Sequence, residues 1–218
     1  MKKSQDVTKK KKTNYLFYDF VKVTAAIPGL IWLRPKNYYE NEAAKKKIKG
    51  GALIIANHNG FLDPIFLQYV IWYRRHHFVC GIEFMQGKGA WFFKGVQCIP
   101  VDRSNFTMDT YRRITDAMSE GKLVTMFPEG HINSTGGKEM DSFKPGMIMM
   151  ALKGGHPIIP VYMKERKHFW SRLKVVVGEP IDIVKMYGDK PTFAQINEMT
   201  KLLQEKEEQL KQIMISLS

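Results

Sequence analysis

The chain is 218 residues long and weighs 25.3 kDa, enough for one domain with a real core, or one domain plus an appendage. A hydrophobic fraction of 44% and a charged fraction of 25% are those of a globular protein; they exclude wholesale disorder, collagen and a multi-span membrane protein. Two cysteines, Cys80 and Cys98, exclude a disulfide framework and point to a reducing compartment, while 34 Lys and Arg against 21 Asp and Glu leave a net charge of +13.

The basic excess is lopsided. Residues 1–49 carry 13 basic against 4 acidic side chains, a net of +9, and residues 50–218 carry 21 against 17, a net of +4. We therefore divide the chain into a basic arm with a helical segment, 1–49, and an α/β domain, 50–218. Such an arm can meet nucleic acid or anionic lipid, and charge alone does not choose. Between its lysine clusters lies the mostly apolar stretch Tyr15 to Leu33. Tyr15, Asp19, Lys22 and Ala26 fall on one stripe at helical spacing, and the rest of the surface is apolar and aromatic. Asp19 and Lys22 would each cost about 2.5–3.5 kcal/mol at a bilayer centre. Pro28 and Gly29 are also expected to interrupt a span. The preferred reading is an amphipathic helix lying in a membrane interface, with flanking lysines meeting anionic headgroups. An amphipathic helix packed on the protein's own core competes with it. A signal peptide ranks last, because no tidy small-residue cleavage site follows the apolar run.

After Gly50-Gly51 the pattern becomes α/β. Ala52 to Asn57 is a short apolar run, as in a strand buried on both faces. Pro64 to Arg74 reads as a helix with Asp63 as its N-cap. Phe78 to Ile82 and Val96 to Val101 read as strands, and a helix follows from Met108 to Met118, stopped by Gly121. Leu123 to Phe127 is the next strand, and a polar loop covers Gly130 to Ser142. A helix at Pro145 to Lys153, strands at Ile158 to Met163 and Leu173 to Gly178, and a long charged surface helix at Phe193 to Ile213 complete the chain. Alternating strands and helices predict a mixed, largely parallel sheet covered on both faces, with ligands gathered at strand ends.

The first domain strand ends in Asn57-His58-Asn59-Gly60-Phe61-Leu62-Asp63. If His58 closes the strand and Asp63 opens the next helix, the loop can bring them together, with Gly60 permitting a tight approach. Asp63 would then accept the Nδ1 proton of His58 and leave Nε2 free to take a proton from a hydroxyl. Alone the pair is a weak signal, since a lone histidine at such a place is more commonly a helix cap or a core hydrogen-bonding group. Further strand-end motifs accompany it: Gly95 to Arg103 (GVQCIPVDR), Phe127-Pro128-Glu129-Gly130, Phe143-Lys144-Pro145-Gly146, and Pro157 to Val161 (PIIPV).

In this order and spacing the chain resembles the glycerolipid acyltransferase family, which includes the 1-acylglycerol-3-phosphate acyltransferases. The resemblance runs from about Leu53 to Gly178. It implies a mixed α/β fold held at one membrane leaflet, monotopic or peripheral and on the cytoplasmic face. It also implies transfer of a fatty acyl group from acyl-CoA or acyl carrier protein to a lysophospholipid hydroxyl, a step of phospholipid biosynthesis. By motif position, His58 would be the general base and Asp63 its orienting partner. Arg103 would face the acceptor phosphate, and Glu129 and Gly130 would shape the acceptor site. Lys144 is a further candidate for the phosphate. The family commonly continues FPEG with Thr-Arg, whereas this chain has His131 and Ile132. Ile132 cannot bind an anion, so either Lys138 or Lys144 compensates or the acceptor differs.

Bland alternatives stand beside these roles. Arg103 and Lys144 can be solvated charges, Glu129 can bond backbone groups in its own turn, and Trp91-Phe92-Phe93 can be core rather than acyl pocket. Other chemistries find no pattern here. GxSxG, a P-loop and a complete GxGxxG are absent, and neither HExxH nor CxxC occurs, so no metal or resident cofactor is expected. No nucleic-acid partner is expected either: residues 50–218 are near neutral and the Tyr15–Leu33 segment is apolar.

Overall fold

The structure, a computed structural model, describes residues 13–102, 107–129, 146–188 and 190–217. Its elements run α1 (Leu16–Leu33), β1 (Lys36–Tyr39), β2 (Ala52–Ala56), α2 (Asp63–Val70) and β3 (His76–Gly81). A 3₁₀ turn at Ile82–Met85 follows, then α3 (Ala90–Gly95), β4 (Ile99–Val101), α4 (Met108–Ser119) and β5 (Leu123–Met126). The chain ends with α5 (Gly146–Gly154), β6 (Ile158–Met163), β7 (Lys174–Val177), α6 (Ile183–Tyr187) and α7 (Phe193–Ser216).

The strands form one sheet in the order β1-β7-β6-β2-β5-β3-β4. All neighbours are parallel except β6 and β7, which pair antiparallel as consecutive strands. This is the mixed, largely parallel α/β sheet that the alternating pattern predicts. Its central strand β2 is buried along its whole length. Leu53 and Ile55 face one core, with Ile114 and Met118 of α4, Ile148 and Ala151 of α5, and Met199 and Leu203 of α7. Ala52, Ile54 and Ala56 face the other, with Phe66, Leu67 and Val70 of α2 and Leu33 of α1. Two buried faces explain a continuous apolar run in place of alternation. Helix α7 starts on a capping box, Thr192 with Gln195. Its buried stripe Met199, Leu203, Glu207, Leu210 and Met214 lies along the sheet.

Several expectations are corrected. The edge strand β1 comes from residues 36–39, inside the 1–49 stretch read as a separate arm. Its KNYY is half exposed and carries no alternating signal, and the sheet reaches it through parallel pairing with β7. The apolar run from Val96 is not strand at its start: α3 ends at Gly95, Val96 caps it, and Gln97 turns the chain with φ +60° before β4. A Cβ at Gly95 would sit 2.3 Å from the Phe17 ring, so that glycine is where α1 approaches α3. Helix α2 is shorter than expected, ending at Val70. Asp63 is its first helical residue, not its cap, and its carboxylate turns back into the preceding loop.

Helix α1 departs from expectation at Pro28. It runs unbroken through Pro28, where the Tyr69 hydroxyl donates to the Ala25 carbonyl and the ring packs on Gly29. It also docks by its polar stripe. Tyr15 donates to His77 Nε2 at 2.8 Å, Asp19 makes a two-pronged ion pair with Arg75 at 2.7 Å, and Lys22 donates to the Arg74 carbonyl at 3.3 Å. Leu16, Phe20, Val23, Ile27 and Ile31 are left 64–77% exposed on the opposite face. By length and composition alone α1 could cross a bilayer. Among the described residues it is held flat against the domain by the groups a span would have to bury.

Candidate active site

Strand β2 delivers Asn57, His58 and Asn59 to the carboxyl end of the sheet. The Asn57 side chain is buried and reads the neighbouring strand as a backbone would. Its Oδ1 accepts from Met163 N at 2.7 Å, and its Nδ2 donates to Met163 O at 3.0 Å. Asn59 Nδ2 donates to the same carbonyl at 2.9 Å. These bonds pin the loop on both sides of His58 to β6, so the imidazole sits on sheet rather than on a free loop.

Asp63 turns its Oδ2 into that loop. It accepts from Asn59 N at 2.6 Å and Gly60 N at 2.8 Å, and stands 2.9 Å from His58 Nδ1. An oxygen already taking two backbone protons is an acceptor, so Nδ1 carries the ring proton and donates it. Nε2 is then the basic atom. The His58 ring is held on its face as well, stacked on Phe127 at 4.1 Å between centroids with 15° between planes. The side chains are 13% exposed for His58 and 4% for Asp63, so the pair is shielded while the ring keeps an opening. Glu129, also buried, comes from the turn after β5, and its Oε1 receives the His58 backbone N–H at 3.4 Å. Gly60 contributes its N–H rather than steric freedom, since a Cβ there would meet nothing within 4 Å.

His58 and Phe127 form part of the wall of a cavity of about 1170 Å³. Its lining is overwhelmingly apolar, drawn from α1 (Val21, Ala25), α2 (Ile65, Tyr69), β3 and α3. Phe92 and Phe93 line it, whereas Trp91 is 65% exposed and packs its edge on Phe17, so the aromatic triplet divides between pocket and surface. Cys80 and Cys98 both stand in the wall, neither of them in a disulfide. The contact with Cys80 and burial push the Cys98 thiol well above its ordinary range, which leaves it neutral and unsuited to act as a nucleophile.

The structure thus brings His58, Asp63 and Glu129 together. Arg103, Gly130, Lys144, and with them Lys138, His131 and Ile132, lie outside the described residues. Asn57, Asn59 and Phe127 were given no role from sequence. The two amides flanking a histidine at the end of an apolar run were the available signal for the first two.

A protein-family model described as Acyltransferase matches residues 36–164, more than half of the chain. The 1-acyl-sn-glycerol-3-phosphate acyltransferase of Bacillus subtilis (strain 168) is 26% identical over 167 residues, covering 73% of this chain and 81% of that one. The crystal structure of the 1-acyl-sn-glycerophosphate (LPA) acyltransferase PlsC from Thermotoga maritima superposes with a TM-score of 0.64 at 18% identity, covering 89% of this chain and 78% of that chain. The structural likeness is one of fold; the family match is one of sequence and takes in β1 through β6, with His58, Asp63 and Glu129 inside it. The chain belongs to the acyltransferase family.

Proposed function

We propose that this enzyme transfers a fatty acyl group from an acyl thioester, acyl-CoA or acyl carrier protein, to the free hydroxyl of a lysophospholipid. Its preferred acceptor on this reading is 1-acylglycerol-3-phosphate, which would become phosphatidic acid. The observation that carries the reading is the His58 imidazole, with its Nδ1 proton given to Asp63, in the wall of an apolar cavity roomy enough for a fatty chain. The activities for which the two relatives are named support the acceptor.

In the proposed step His58 Nε2 takes the proton of the acceptor hydroxyl as its oxygen attacks the thioester carbonyl. The C–S bond breaks, the ester forms, and the thiolate leaves with the proton returned by the imidazolium. Asp63 stays ionised throughout and steadies the charged ring. A thioester is already activated, so one placed base contributing about 10²–10⁴-fold, together with alignment, is a sufficient apparatus. Glu129 and Gly130 would shape the acceptor side, and Arg103 and Lys144 would meet its phosphate. Helix α1 would lie in the cytoplasmic membrane interface, its outward apolar face in lipid and its lysine-rich flanks at anionic headgroups. Ile132, at the position where the family commonly places Arg, favours one second reading: the same chemistry on a lysolipid without a terminal phosphate.

Mass spectrometry of products from mixed lysolipids and acyl thioesters tests both readings. The expected result is a diacyl product from wild type and none from His58→Ala, with folding and vesicle binding retained. Substantial activity in His58→Ala rejects the mechanism. Equal use of acceptors lacking the phosphate selects the second reading.

A further inference from the structure

The connection between β6 and β7, residues 164–173, ends in two aromatic side chains that the catalytic reading does not use. Phe169 is 62% exposed and Trp170 is 69% exposed. Bare aromatics at a hairpin tip are costly in water, yet this tip is tightly built. The Phe169 carbonyl accepts from Trp32 Nε1 at 2.8 Å and from Arg166. The Trp170 carbonyl accepts from Arg34 at 2.6 Å, and the Ser171 carbonyl from Arg166 Nε at 2.7 Å. Ser171 N closes the turn onto His168 O at 2.9 Å. The tip's carbonyls are thus served by protein donors, the condition for placing irregular backbone where water is scarce.

Around the tip the sequence is cationic: Lys164, Arg166, Lys167, Arg172 and Lys174 against the single acid Glu165. The tip is also continuous with α1. The Phe169 ring lies 4.7 Å from Trp32, one residue past the exposed Ile31. The hairpin leaves the sheet at Met163, the residue that pins Asn57 and Asn59.

We propose that Phe169 and Trp170 form a second membrane anchor that enters the headgroup region of an anionic bilayer beside α1. The occupant is a lipid surface because the aromatics sit in a basic collar, and amphipathic rings prefer the boundary between headgroup and chain. Two anchors hold the sheet end that carries His58 against the leaflet, where a single helix would leave the domain free to swing. The inference rests on the interfacial reading of α1 and adds a contact to it.

The test uses the full chain and vesicles of phosphatidylcholine with about 30% phosphatidylglycerol, a composition chosen for its negative surface. Wild type, Phe169→Ser/Trp170→Ser and Ile27→Ser/Ile31→Ser are compared by co-sedimentation. Each is also assayed with a short-chain, water-soluble lysolipid and thioester, and sized by gel filtration. Both double variants are expected to bind at least about tenfold more weakly, with soluble-substrate turnover unchanged, since either pair of large apolar side chains carries that much transfer free energy. Trp170→Phe, which disturbs no backbone bond, is expected to lose a measurable share of the quenching by acyl-brominated lipid. Vesicle binding by Phe169→Ser/Trp170→Ser equal to wild type, while the α1 variant falls, overturns the second anchor and leaves α1 standing. No vesicle binding by active wild type overturns both. Loss of a dimer with unchanged vesicle binding makes the tip a contact between copies and overturns the lipid assignment.

Discussion

At the scale of single residues, the catalytic reading turns on which proton His58 carries. Asp63 does two things with one oxygen: it fixes the loop by accepting from Asn59 and Gly60, and it fixes the imidazole tautomer. Asp63→Asn separates them. The amide oxygen can still accept the two backbone protons, so the loop survives, but it cannot steady an imidazolium. We expect kcat to fall by about 10²–10⁴-fold with little change in KM and an unchanged melting temperature, read by steady-state kinetics and circular dichroism. A loss under tenfold would remove the orienting role. This pair was legible because both partners lie within one short loop between a strand and a helix, and sequence spacing describes such loops well. Asn57 was not legible in the same way. Its partner is the backbone of Met163, and no side-chain pattern announces a bond to a main-chain group so far along the chain.

At the scale of elements, strands and helices with two buried faces or a clean stripe were read nearly to their ends: β2, α4, β5, β6 and α7. Those misread have physical causes. The exposed edge strand β1 has no face to bury, and the short apolar run at Val96 fits a helix end as well as a strand. For α1 the stripe was legible and what it docks on was not, because the partners of Tyr15, Asp19 and Lys22 lie 62, 56 and 52 residues along the chain. The inward face carries Tyr15, Asp19 and Lys22, plus small residues that roof the cavity. Val21 is part of that roof. Val21→Trp puts an indole into the space beneath α1, where we expect it to exclude the far end of long acyl chains. Competition between long-chain and short-chain thioesters should shift by about tenfold or more toward the short one, since each displaced methylene is worth about 1 kcal/mol. No shift would place the acyl chain elsewhere.

At the scale of the whole molecule, three titratable groups off the catalytic loop set how stability responds to pH. Burial pushes His76 down to about 3 and His77 to about 4, from an ordinary value of 6.5. His77 is neutral with Nδ1 donating to the Leu123 carbonyl and Nε2 accepting from Tyr15, which is how β3 receives the start of α1. Burial pushes the Glu207 carboxyl the other way, up to about 8 from 4.5, helped by the nearby charges of Glu129 and Glu208 and opposed by Lys211. Among the described residues neither Glu207 oxygen has a hydrogen-bond partner, and Tyr162 of β6 also feels its charge. For the histidines the unfolded chain binds the extra protons, so stability is lost as pH falls from 6.5 toward 3–4. For Glu207 the folded chain holds the extra proton, so stability is lost as pH rises from 4.5 to about 8. Two histidine slopes oppose one glutamate slope and cancel where the unfolded histidines are half protonated. The melting temperature is therefore expected to peak near about pH 6.5 and to decline on both sides. Glu207→Gln removes the glutamate slope over the whole range from pH 4.5 to about 8. Its melting temperature should rise with pH more steeply than that of wild type below about pH 6.5 and reach a plateau above about pH 7. Melting curves from pH 4 to 9 for the two proteins decide it. A wild-type profile already flat between pH 6.5 and 8 would mean that the Glu207 carboxyl is ionised in the folded chain, with a counter-charge holding it there.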